Sequence, residues 1–204
     1  MIKDTYQTIN EKAEGQFKDK GSKFLAFAYP INNEDEVKTK LQELKKEHFS
    51  ARHHCYAYRL GANGEHYRAN DDGEPSGTAG RPILGQLLSN DLTNVLIVVV
   101  RYFGGTLLGV SGLINAYKSA ASDVIYRSIF ITHVVQNHFS LEFDYSIQNS
   151  IMRVIKEEEI DVINSKFEMK CQLIIGIRLL KEEMVLSKLS KIENLKIIQL
   201  NEDV

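Results

Sequence analysis

The 204-residue chain predicts an α+β protein of two domains, and three observations carry that prediction. Val95 to Val100 is an unbroken apolar run, VLIVVV, rich in β-branched residues, which marks a strand buried on both faces. RYFGGTLLGVSG follows it, and then Leu113, Ile114, Tyr117, Ala120, Ala121, Val124 and Ile125 fall on one helical face, so the unit reads strand, glycine loop, helix. Beyond residue 132 the composition changes: there is no proline, one glycine (Gly176), and a β-α-β-β-α-β order. The expected domains are 1–132 and 133–204.

The remaining elements follow in chain order. Lys23 to Tyr29 reads as a first strand, closed by Pro30. Asn33 stands where a helix N-cap is wanted, with Glu36 three residues on and Val37, Leu41 and Leu44 as an apolar stripe. His54 to Leu60 alternates as a strand, Gly61 to Gly64 turns, and Glu65 to Ala69 returns as a hairpin arm. A helix is expected over 78–88, capped by Ser76 or Thr78, and the helix after the glycine loop ends near Ser128. In the second domain, strands are expected at Thr132 to Phe143, Asp161 to Met169, Cys171 to Leu180 and Leu195 to Leu200. Helices are expected at Ser146 to Glu158 and Lys181 to Ile192, the latter with Met184, Leu186, Leu189 and Ile192 apolar.

Composition excludes some function classes. Hydrophobic residues make up 43% and charged residues 25%, with a formal net charge of −2. The two parts carry +1 and −3, so any basic patch for nucleic acid must be local. Two distant cysteines, Cys55 and Cys171, give no disulfide framework. VLIVVV is too short to span a bilayer, and the N-terminus lacks the apolar core of a signal peptide, so a cytosolic protein is expected.

Candidate chemistry concentrates between Asp71 and Gly112. Arg101, the turn amides of Gly104 and Gly105, and Arg81 suit an anion at the start of a helix; the alternative is that the glycines only shape a tight turn. Tyr102, beside Phe103, is the candidate for an exposed stacking ring. A groove lined by Arg52, Arg81, Arg101 and Lys118 would favour nucleic acid. Asp71, Asp72 and Glu74 form an acidic loop, read as a solvated turn or as carboxylates pairing with Arg81 or Arg101 rather than as a metal or acid–base site. His53 and Cys55 share one strand face while His54 points away. Two ligands fall short of a structural zinc site, and Cys55 reads as a packing residue. No catalytic residue, metal or cofactor is assigned.

DDGEPSGTAGRP followed by VVVRYFGGTLLGVSGLINAY closely resembles the signature of the Impact family, bacterial two-domain type. GSKFLAF at Gly21 to Phe27 and ARHHCYAY at Ala51 to Tyr58 extend the resemblance over about the first two thirds of the chain. It implies a ribosomal protein S5 domain 2-like fold for the first domain, and makes the ferredoxin-like second domain similar to one in translocation elongation factors. It further implies a non-enzymatic regulator or binding protein linked to translation, contacting RNA, the ribosome or a translation factor through the Asp71–Gly112 surface. The alternative is a peptidase-type hydrolase, since some family members carry a proline dipeptidase label.

Overall fold

The computed structural model describes residues 4–167 and 170–200. It is an α+β structure with five-, four- and two-stranded antiparallel sheets. The described residues divide into two compact units, Thr5–His133 and 134–200 together with Asp4.

The larger unit is built on a five-stranded sheet of β2 (Ala13–Asp19), β3 (Ser22–Pro30), β6 (Val95–Tyr102), β4 (His53–Leu60) and β5 (His66–Asn70), in that spatial order. The VLIVVV run sits at its centre, as a strand covered on both faces must. Strand parity then sorts the side chains. Val95, Ile97 and Val99 face a core shared with α2 (Gly80–Ser89) and α3 (Gly109–Arg127). Leu96, Val98 and Val100 face a second core, closed by Val37 and Leu44 of α1 (Glu34–Glu47).

Helix α3 lies close to the sheet because both surfaces are small-residue surfaces: Ala116, Ala120 and Ala121 meet a face containing Ala26, Ala28 and Ala57. Ala116 takes the inward place expected for Ile114, which is 38% exposed. Ala116, Tyr117, Ala120 and Ala121 follow Leu113 at the 3–4 spacing of a single helical stripe, and Ile114 stands one position off it. At α1, the Asn33 side chain accepts from the Glu36 amide at 2.9 Å, while the Glu36 carboxylate accepts from the Asn32 amide at 3.0 Å. The cap is therefore reciprocal but displaced by one residue from the usual box.

Two N-terminal strands were not expected from the sequence. β1 (Thr5–Ile9) pairs with β7 (Phe130–Val134), and β2 forms a hairpin with β3 through Lys20 and Gly21, both at positive φ. The single strand anticipated over 132–143 is two, β7 and β8 (Gln136–Phe143).

The smaller unit runs β8, α4 (Gln148–Glu157), β9 (Asp161–Phe167), β10 (Cys171–Arg178), α5 (Glu182–Leu189) and β11 (Lys196–Leu200). Its sheet order is β11-β8-β10-β9, antiparallel throughout. Ile151, Ile155, Val185 and Leu189 of the two helices close one face over Leu141, Leu173 and Ile175. Met184, expected inside, is 44% exposed, because the inward pair Val185 and Leu189 takes the spacing of four. The expected strand end at Met169 lies outside the described residues.

The loop after β6 is fixed by a close approach. A Cβ on Gly104 would stand 2.0 Å from the Gly21 carbonyl carbon and 2.1 Å from the Ser22 nitrogen. Gly105 has open space around it but a φ of +87°. Gly104→Ala should therefore force backbone apart and cost about 3 kcal/mol or more, whereas Gly105→Ala should cost about 1 kcal/mol, the left-handed penalty alone. Urea unfolding of the two variants checks the order; equal losses would show that the contact with Gly21 does not constrain the loop.

Candidate functional site

The acidic loop turns its carboxylates inward. Asp71 Oδ1 accepts from the amides of Ala79 at 3.0 Å and Gly80 at 2.8 Å, and Oδ2 accepts from Gly77 at 2.8 Å. The Gly80 amide is an orphan donor of the first turn of α2 and the Ala79 amide stands just before it, so the helix start is held from eight or nine residues upstream, while Gly77 lies in the loop ahead of it. Thr78, expected as the cap, instead donates its hydroxyl to the Pro75 carbonyl at 2.6 Å. Asp72 Oδ2 accepts from the His54 amide at 2.7 Å, and Lys45 stands 3.6 Å from its Oδ1.

Glu74 goes deepest. Its Oε1 accepts from Arg101 Nη1 at 2.6 Å and from the Tyr117 hydroxyl at 2.8 Å, in a pair whose side chains are 4% and 7% exposed. Cys55 Sγ lies 3.3 Å from that hydroxyl and donates to the Asp71 carbonyl at 2.9 Å. Loop, strand β6, helix α3 and strand β4 thus meet around one carboxylate. Burial pushes the Cys55 thiol well above its ordinary range and pushes the Tyr117 phenol further still, so both stay protonated at neutral pH.

Above this knot lies a concavity of about 490 Å³. Arg52, His53, Glu74 and Arg101 supply its polar lining; Phe103, Leu107, Leu108, Val110 and Leu113 are its main apolar lining. Register places His53 directly across from Arg101, and the His53 ring Nδ1 lies 2.9 Å from the Asp72 carbonyl. A carbonyl oxygen only accepts, so Nδ1 carries the proton of the neutral ring. The apolar rim is open: Leu107 is 82%, Val110 60% and Phe103 55% exposed. The Arg101 guanidinium carbon sits 5.7 Å from the Phe103 ring centroid and 5.5 Å from that of Phe24.

The anion site expected from the sequence is not assembled in this form. Arg101 is buried and bound to Glu74, and the Gly104 amide donates to Ser22 Oγ at 3.1 Å. Arg81 is exposed at the start of α2, outside the concavity, with Gly77 beside its side chain. Lys118 lines a different depression, with Gln16 and Asp123. The acidic loop is not a solvated turn; Glu74 pairs with Arg101. Tyr102 is not the exposed ring: parity turns it toward the α1 face, where its hydroxyl lies 2.9 Å from His48 Nδ1, and Phe103 is the ring left open. Among the described residues, no group of three His, Cys, Asp or Glu side chains is placed to hold a metal ion. Sequence reasoning missed Leu107, Val110 and Leu113 as site residues, although three aliphatic side chains around a glycine loop were a visible signal.

Burial of Asp71 opposes its ionised form, but the amides of Gly77, Gly80 and Ala79 outweigh burial and hold the carboxyl below its ordinary range. A carboxyl depressed on folding contributes stability above its unfolded pKa and loses it as pH falls through the folded one. Asp71→Ala should thus cost about 2 kcal/mol at neutral pH, and the gap to wild type should close as pH falls below the usual carboxylate range. A gap in urea unfolding that persists unchanged into strong acid would contradict the assignment.

Residues 20–125 match the Impact N-terminal domain. IMPACT family member YvyE of Bacillus subtilis is 35% identical over 155 residues, covering 76% of this chain and 71% of that protein. A crystal structure described only as that of a hypothetical protein aligns at 26% identity and TM-score 0.71, over 99% of this chain and 100% of its own. The structure of the two-domain translational regulator Yih1 aligns at 26% identity over 60% of this chain and 47% of its own, with TM-score 0.36. The domain match spans β3 to α3, the elements that build the concavity, and the chain belongs to the IMPACT family.

Proposed function

We propose that the protein is a binding protein linked to translation, which engages a component of the translation machinery through the concavity between β6 and α3. One observation carries this reading: an apolar rim, with Leu107 82% and Val110 60% exposed, stands open beside Arg52 and His53 over the buried, hydrogen-bonded knot of Glu74, Arg101 and Tyr117. Exposed aliphatic side chains clustered beside a few polar groups are the composition of a binding surface. Family membership supports the link to translation, the role that the resemblance implies. Cys55 suits a binding protein better than a peptidase, since its thiol is buried, protonated and bonded to the Asp71 carbonyl. In the same reading the larger unit has the ribosomal S5 domain 2-like fold and the smaller one, with its β-α-β-β-α-β order, the ferredoxin-like fold.

Tagged chain crosslinked in cells and recovered under denaturing wash should enrich ribosomal RNA, ribosomal proteins or translation factors. Val110→Glu, at an exposed position, should reduce that enrichment at least fivefold with the circular dichroism spectrum unchanged. Recovery without translation components, or recovery that Val110→Glu leaves intact, would contradict the proposal.

A further inference from the structure

The concavity has two kinds of wall. One is apolar, from Phe103, Leu107, Val110 and Leu113. The other is polar, and its formal charges are few: Glu74 is already bound by Arg101, which leaves Arg52 as the uncompensated charge among the lining residues. Arg101 is 7% exposed, yet of the five N–H donors that a guanidinium carries only Nη1 meets an acceptor among the described residues; Nε is enclosed by protein, whereas Nη2 is neither hydrogen-bonded nor enclosed. A guanidinium edge left without a protein acceptor beside an open concavity is placed to take its acceptor from a ligand.

Charge complementarity narrows the ligand. A nucleic-acid strand presents a series of phosphates and needs several free cations along a track. Here Arg81 and Lys118 lie outside the concavity, and Arg101 is neutralised by Glu74. One free positive charge beside an aliphatic wall suits one carboxylate beside one apolar side chain. Resting on the binding role proposed above, we infer that the concavity takes a peptide segment of a partner protein, in which an aliphatic or aromatic residue neighbours an aspartate or glutamate. The apolar side chain seats against Leu107, Val110 and Leu113. The carboxylate accepts from Arg52 and from the unpartnered edge of Arg101.

The test is selection on the immobilised full chain, with a random displayed-peptide library in one arm and a random RNA pool in the other. Leu107→Glu and Arg52→Glu are the variants, both at exposed positions, with folding checked by circular dichroism. Expected are peptides pairing Leu, Ile or Phe with an adjacent acidic residue, their affinity falling at least tenfold in each variant. Repeating the selection on Arg52→Glu should replace the acidic residue by Lys or Arg. Selected peptides without an acidic residue, or binding that neither variant weakens, would overturn the inference. RNA retained through Arg52 and Leu107 with no peptide selected would overturn the peptide class while leaving the concavity a binding site. Retention of neither library would remove both the inference and the binding role of the concavity.

Discussion

The buried pair of Glu74 and Arg101, 2.6 Å apart, is the constraint on which the candidate binding face of the larger unit depends. Removing two charges from water is costly, and their attraction offsets that cost only when geometry and further hydrogen bonds are good. Here Tyr117 provides a second donor to the same carboxylate oxygen, and aromatic rings lie near the guanidinium on the Phe24 and Phe103 sides. Glu74 reaches this position because the loop before it is already folded on itself. The Glu74 amide donates to the Asp71 carbonyl at 2.9 Å, and the Asp71 carboxylate holds the start of α2. The charged knot and the helix cap are one structure with two carboxylates in different roles.

The knot decides what the surface above it can do. By occupying Arg101, Glu74 removes most of the positive charge that the sequence places at the end of the central strand. By fixing Tyr117, it sets the first half of α3, and with it Leu113 and Val110 on the neighbouring turns. What remains at the surface is apolar, with Arg52 and His53 at one side. A surface of that kind recognises shape and an apolar anchor first and charge second.

Much of this architecture was legible in the sequence, and the failures have physical causes. VLIVVV announced a central strand because a strand covered on both faces has no polar side. For the same reason it hid parity: with every residue apolar, nothing told which of Arg101 and Tyr102 would share a face with Val99. Strands β1 and β2 were missed because β1 pairs with β7, more than a hundred residues away, and β2 is an edge strand whose residues are all half-buried or exposed. The Asp71 cap was missed because cap signals are local, whereas this carboxylate reaches across eight and nine residues. The Glu74–Arg101 pairing was among the sequence readings, as one partner choice of two. The Arg52–Leu113 concavity was not, because aliphatic side chains in a loop read as ordinary until their exposure is known.

The central claim is that Glu74 and Arg101 act as a unit. A double-mutant cycle in urea unfolding tests it most directly, with Arg101→Met, Glu74→Leu and the two together. Each single variant leaves one charge buried and unpaired and is predicted to lose about 3–5 kcal/mol. The double variant removes both charges and is predicted to lose far less than the sum, with a coupling energy of about 2 kcal/mol or more. Losses that simply add would contradict the claim and make the two residues independent contributors to the core.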